Sequence, residues 1–255
     1  MDIEGVLLDV DGVLTVSWRP LPGAPEAVAA LRRLGLPLLF ATNTTVLTRA
    51  QLVDRMEVFE ARVEEVITAP AVTAEYLRAH HPGARCYLIA KGDLSEDLAG
   101  IELGDEDADV VVISGAEEGF TYERLNHAFN LLMEGAALVT MHRNLYWRTD
   151  GGLKLDAGAF VTGLEEAAGV TAVVTGKPAP AFFEGAARAL GVDARVVAMV
   201  GDDVESDVLA AQGAGLIGVL VRTGKFRARD LERASGRPDF VIDSIADLPG
   251  LIERR

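Results

Sequence analysis

Two carboxylates one residue apart, Asp9 and Asp11, stand at the end of an apolar run and just before Gly12. Side chains at i and i+2 of a strand share a face, and a turn at Gly12 lets the second carboxylate swing beside the first without blocking it. A second acidic group, Gly201-Asp202-Asp203 with Asp207 beyond it, follows the apolar run at residues 196–200. Between these lie Thr42-Asn43, after residues 38–41, and Gly176-Lys177-Pro178. Phosphoryl transfer needs a nucleophile in line with the leaving oxygen, a proton source for that oxygen, and positive charge around the equatorial oxygens. A carboxylate is a competent nucleophile through an aspartyl-phosphate. Asp9 is the candidate nucleophile. Asp11 is the candidate acid that protonates the leaving group and the base that then activates water. Magnesium takes oxygen ligands, one or two of them carboxylates, and keeps several waters. Asp9, the backbone carbonyl of Asp11, and Asp202 would supply those ligands, with Asp207 holding a metal-bound water from behind. Thr42 and Asn43 offer a hydroxyl and amides to an anion at a helix start, and Lys177 offers counter-charge to phosphate and nucleophile.

Each segment also has a plainer reading. Asp-Gly is a turn signal, Thr42 suits a helix cap, and Asp203, Ser206 and Asp207 are residue types that cap helices. Asp203 and Ser206 are assigned to capping or packing. His80, His81 and His127 are read as surface or helix-face residues, and Cys86 as core.

The elements that must position these groups alternate along the chain. Apolar runs at residues 6–8 and 37–41 alternate with helical patterns at 24–34 and 48–63, which predicts parallel strands with helical crossovers. Residues 196–200 and 217–221 lack polar alternation, as expected of strands covered on both faces. The fold class is therefore α/β, a doubly wound parallel sheet. From Thr42 to Lys177 the chain runs 135 residues, far more than the roughly 30 of a βαβ unit. The excess reads as an inserted small α/β domain, with strands at 85–90, 109–113 and 137–141 and helices at 94–99 and 122–134. The predicted division is 1–77 core, 78–175 insert and 176–255 core. The acidic stretch at 102–109 reads as a solvated loop, and residues 172–175 as the strand that delivers Lys177.

Composition narrows the partners. The chain has 255 residues, 49% of them hydrophobic, enough for a sizeable core. A formal net charge of −15 disfavours nucleic acid and anionic membrane, both of which reward clustered Lys and Arg. No apolar stretch approaches the roughly 18 to 20 residues of a membrane span. Acidic residues interrupt the N-terminus where a secretory signal would need a basic and then an apolar segment. The single cysteine fits a reducing compartment, so a cytoplasmic protein is expected, with a homodimer left open.

In order and spacing, Asp9-x-Asp11-Gly12, Thr42, Lys177 and Gly201-Asp202 with Asp207 resemble the motifs of haloacid dehalogenase-like phosphatases. The resemblance covers nearly the whole chain. It implies a magnesium-dependent phosphatase acting on a small phosphorylated molecule: a phosphomonoester, a phosphoamino acid or pyrophosphate. The insertion resembles the α/β cap of the nitrophenyl-phosphatase-type subgroup. Finer likeness in Thr42-Asn43-Thr44-Thr45, Leu153-Lys154-Leu155-Asp156-Ala157-Gly158 and Val221-Arg222-Thr223-Gly224-Lys225-Phe226-Arg227 is to its phospholysine phosphohistidine inorganic pyrophosphate phosphatases. That likeness bears on lineage more than on substrate. Within the cap, His142, Arg143, Asn144, Tyr146 and Trp147 are read either as leaving-group contacts or as an edge loop with aromatic packing. Two rival functions remain. A dehalogenase on the same scaffold does not need Asp11 or Asp202, and a noncatalytic phosphate- or metal-binding regulator does not need a group that activates water.

Overall fold

The computed structural model describes residues 2–149 and 152–253. The chain divides into two compact units, one of Met1–Thr42, Arg49–Ile67 and Lys177–Arg255, the other of Asn43–Thr48 and Thr68–Gly176.

The first unit is built on a six-stranded sheet in the order Phe240–Ile242, Ile217–Val221, Val197–Gly201, Gly5–Asp9, Leu38–Thr42, Val66–Thr68. The four central strands are five residues long and buried throughout. Their runs of Val, Leu and Ile suit a parallel sheet whose two faces are both covered. Register sets the functional edge. Leu8 pairs with both Val200 and Phe40, and Asp9 pairs with Ala41, so the chain leaves Asp9, Gly201 and Thr42 at one end of the sheet. Gly5–Asp9 lies between Val197–Gly201 and Leu38–Thr42, where the strand order reverses, and an open α/β sheet binds its ligand at such a point. Two amphipathic helices belong to this unit. Ala24–Arg33 buries Ala24, Ala27, Val28 and Leu31, spaced i, i+3, i+4, i+7. Pro180–Leu190 buries Phe182, Phe183, Ala186, Ala187 and Leu190. Phe182 and Phe183 are fully enclosed, and truncating either to alanine costs about 3–5 kcal/mol.

The second unit has a five-stranded parallel sheet in the order Val173–Val174, Ala137–Thr140, Val110–Ile113, Arg85–Ile89, Glu102–Leu103. Alternate residues of its central strand go to opposite faces. Val111 and Ile113 pack with Ala128, Leu131, Val161 and Leu164. Val110 and Val112 pack with Ala69, Ala74, Leu77, Leu94 and Leu98. An antiparallel hairpin, Tyr146–Thr149 with Gly152–Leu155, completes it.

Three details differ from expectation. The division at 77/78 falls inside the helix Ala69–His80, whose Ala69, Ala74 and Leu77 pack in the second unit. Residues 95–99 form turns rather than a helix, with Leu94 and Leu98 as buried anchors. The acidic stretch 102–109 contributes a short strand, Glu102–Leu103, which pairs with Arg85–Ile89. The strand Val173–Val174 pairs with Ala137–Thr140 in the second unit's sheet.

Candidate active site

Asp9 is the last residue of its strand and is buried. Its Oδ1 accepts a hydrogen bond from Lys177 Nζ at 2.7 Å, and the same ammonium lies 2.8 Å from Asp207 Oδ1. Lys177 is the first residue of the chain's return to the first unit, just ahead of Pro180–Leu190. The preceding strand, Val173–Val174, pairs in the second unit's sheet, and Lys177 reaches the cluster from the loop that follows it. Asp202 follows the strand Val197–Gly201, and Asp207 lies on the widened helical turn Val204–Leu209. Carboxylate oxygens of Asp9, Asp202 and Asp207 lie within 4.8 Å of one another, and all three residues are buried. Asp207 thus stands among the carboxylates themselves, closer than the supporting position expected of it. Asp203 turns the other way, its Oδ1 accepting from the backbone N–H of Glu205 and Ser206 at 3.1 and 3.0 Å. It is a helix cap.

Glycines make room for this cluster. Gly12 has φ +87° and Gly224 φ +61°, and a Cβ on either would overlap Asp202 Oδ2. The Asp202 carboxylate is therefore held between two glycine backbones. Its Oδ2 also accepts the backbone N–H of Lys225 at 2.6 Å, and the Thr223 hydroxyl donates to the Gly12 carbonyl. Loop 223–225, which the sequence reading took only as a mark of resemblance, therefore locks two acidic segments together. The signal was available: a buried strand, Ile217–Val221, ends just before Gly224 on the same sheet edge.

Asp202 Oδ1, by contrast, is buried with no hydrogen-bond partner. An orphaned carboxylate oxygen in such a place costs free energy unless a cation or proton meets it. Charge leads to the same conclusion. Three buried carboxylates hold more negative charge than Lys177 offsets. Burial raises the Asp9 carboxyl to about 7 against the pull of Lys177, with Asp207 pushing it up further. Burial, then the charges of Asp9 and Asp207, raises Asp202 to about 8. Burial alone would lower the Lys177 pKa, but Asp207 and Asp9 outweigh it and hold the ammonium charged. All-oxygen donors with one unmet oxygen suit a hard divalent cation, and the residues present fit one.

Asp11 lies on the loop that Gly12 tightens. Leu14 and Thr15 donate backbone N–H bonds to the Val10 carbonyl, and Gly12 donates to Thr15. Asp11 is exposed, and its carboxyl is raised by partial burial against Lys225 and Lys177. Thr42 ends its strand, buried. Asn43, though next in sequence, groups with the second unit, where its Oδ1 stands 2.8 Å from the point a Gly176 Cβ would occupy.

The second unit's loop residues divide. His142 is buried, with Nε2 3.8 Å from Asp156 Oδ1. Arg143 makes a two-pronged pair with Glu165 at 3.0 and 2.6 Å, and Glu165 Oε1 also accepts the Ala172 N–H. Asn144 is half-buried, and its carbonyl accepts the Gly158 N–H. Tyr146 is 61% exposed. The Trp147 side chain lies outside the described residues. His80 stacks on Tyr76 and His127 packs edge-on against Tyr87, while burial pushes the Cys86 thiol up to about 11.

Comparison with known proteins accords with this arrangement. Residues 6–104 match the haloacid dehalogenase-like hydrolase family model, and residues 174–248 match a HAD-hydrolase-like model. The bovine haloacid dehalogenase-like hydrolase domain-containing protein 2 is 37% identical over 95% of this chain and 93% of its own. The human phospholysine phosphohistidine inorganic pyrophosphate phosphatase is 36% identical over 98% and 94%. The 4-nitrophenylphosphatase of Thermotoga maritima superposes with a TM-score of 0.91 at 29% identity, over 98% of this chain and 97% of that one. The chain belongs to the haloacid dehalogenase-like hydrolase family.

Proposed function

We propose that the protein is a magnesium-dependent phosphatase that hydrolyses a small phosphorylated molecule through an aspartyl-phosphate on Asp9. The observation that carries this reading is the buried group of Asp9, Asp202 and Asp207, with the Lys177 ammonium bonded to two of them and Asp202 Oδ1 left unmet. Relatives whose names are phosphatases support it, and the net charge of −15 favours a small molecule over nucleic acid.

Asp9, Asp202 and Asp207 would hold magnesium, which when bound offsets negative charge on the carboxylates and phosphoryl oxygens. Lys177 holds Asp9 in place and shares that offset. A carboxylate oxygen of Asp9 attacks phosphorus, the bond to the leaving oxygen breaks, and the Asp11 carboxyl gives that oxygen its proton. Asp11, now a carboxylate, takes a proton from water as its oxygen attacks the same phosphorus. The Asp9–phosphorus bond breaks, releasing phosphate and restoring both side chains. Thr42 and Asn43 are assigned to the phosphoryl oxygens. The second unit is read as the inserted cap, and substrate choice is assigned to it. Asp11 separates this reading from a phosphate-accepting regulator, because a group that activates water makes the phosphorylated state short-lived. The single buried Cys86 fits a reducing compartment such as the cytosol.

Hydrolysis of p-nitrophenyl phosphate tests the proposal. Activity should vanish in excess chelator, return with magnesium and return poorly with the larger calcium ion. Full activity in chelator would overturn it.

A further inference from the structure

Lys225 is anchored beside the carboxylate cluster by its backbone, not its side chain. Its N–H donates to Asp202 Oδ2 at 2.6 Å, and Gly224 and Thr223 fix the preceding residues against Gly12. From that fixed point the side chain is exposed, and among the described residues its Nζ makes no hydrogen bond or ion pair. Lys177 shows the alternative, since its buried ammonium is spent on Asp9 and Asp207. An ammonium held next to three buried carboxylates and bonded to none of them keeps its three N–H donors for something else. The groups that act on it are Asp202, Asp207 and Asp9, which attract it, and Lys177, which repels it.

We propose that the Lys225 ammonium is a second cation for the substrate's phosphate, binding the anion directly while opposing the metal at the neighbouring carboxylates. The proposal rests on the phosphatase reading above and adds a residue to it. In support, the charge of Lys225 lowers the carboxyl pKa of Asp9, Asp11 and Asp202, which places the ammonium within electrostatic reach of all three. Phosphate carries charge opposite to magnesium. Removing one positive charge must therefore weaken phosphate and strengthen the metal, whereas mere loss of packing would weaken both.

Lys225→Met removes the ammonium and keeps the backbone N–H that holds Asp202. Calorimetric titration of the full chain with inorganic phosphate, in saturating magnesium, should show affinity weakened about 10- to 100-fold, the range for losing a hydrogen bond to a charged group. Titration with magnesium alone should show affinity unchanged or tighter. Lys225→Arg should restore phosphate binding to within about threefold, since it keeps the charge. Phosphate affinity unchanged in Lys225→Met would overturn the proposal, as would a parallel loss of phosphate, magnesium and thermal stability that arginine fails to rescue. A wild-type protein that neither binds phosphate nor hydrolyses p-nitrophenyl phosphate would overturn the phosphatase reading itself, and this inference with it.

Discussion

Replacing Gly12 with alanine would place one carbon where the Asp202 carboxylate lies. The added Cβ would overlap Asp202 Oδ2, come within 2.5 Å of Asp202 Cγ and stand 3.0 Å from Gly224 Cα. Gly224 is backbone and cannot yield cheaply, so the carboxylate must move. Moving it breaks the 2.6 Å bond from the Lys225 N–H, worth about 1.5–3 kcal/mol for a charged acceptor. The dihedral, φ +87°, adds about 1–2 kcal/mol for an L-residue. The combined effect is about 2.5–5 kcal/mol, and a loss of that size in transition-state stabilisation lowers kcat/KM by about 10²- to 10⁴-fold. Gly35 supplies the control: its φ is +74° with nothing within 4 Å of an added Cβ, so Gly35→Ala carries the dihedral cost alone. The assay is kcat/KM for p-nitrophenyl phosphate beside magnesium titration and a thermal melt of each variant. If Gly12→Ala matched Gly35→Ala in all three, the cradle around Asp202 would have no role in the site.

In chelator, Asp9 and Asp202 titrate near 7 and 8 instead of near 3.8, so between those values the folded protein holds more protons than the unfolded chain. Metal-free stability should then be greatest at low pH within this window and fall as pH rises from about 4 to about 8, and magnesium should flatten the trend; a Tm in chelator that rises over this range refutes it. In the second unit, Arg143→Ala should destabilise the protein by about 1–3 kcal/mol through the orphaned Glu165, leaving the ranking of substrates intact. Tyr146→Ala, at an exposed side chain, should change that ranking in a kcat/KM panel without lowering Tm. The reverse pattern would exchange the two assignments.

The parts of this protein legible in its sequence are those where local pattern and tertiary role coincide. Gly5–Asp9 and Val197–Gly201 are unbroken apolar runs ending at or next to acids, so strand, edge and carboxylate announce themselves together. Lys177 stands out by residue type, but the partner of the strand before it does not: only the structure shows Val173–Val174 paired with Ala137–Thr140. The helix Ala69–His80 misled the division for the same reason, because its packing against Val110 and Val139 is visible only in three dimensions. Arg143 fits either reading of its loop in sequence, and only the structure shows its guanidinium on Glu165, 22 residues away. An exposed lysine such as Lys225 carries no signal of its own in sequence; its meaning comes from the backbone bond to Asp202.

The central claim is that Asp9 carries the phosphoryl group. With Asp11→Asn and p-nitrophenyl phosphate, whose leaving group needs little protonation, transfer to Asp9 should proceed while hydrolysis stalls. Acid quenching followed by mass analysis of the peptide containing residue 9 should then show one phosphoryl group on Asp9, absent in Asp9→Asn and in chelator. Steady turnover by the wild type with no phosphoryl group on Asp9 in the Asp11→Asn protein, or with the label on another residue, would contradict the account.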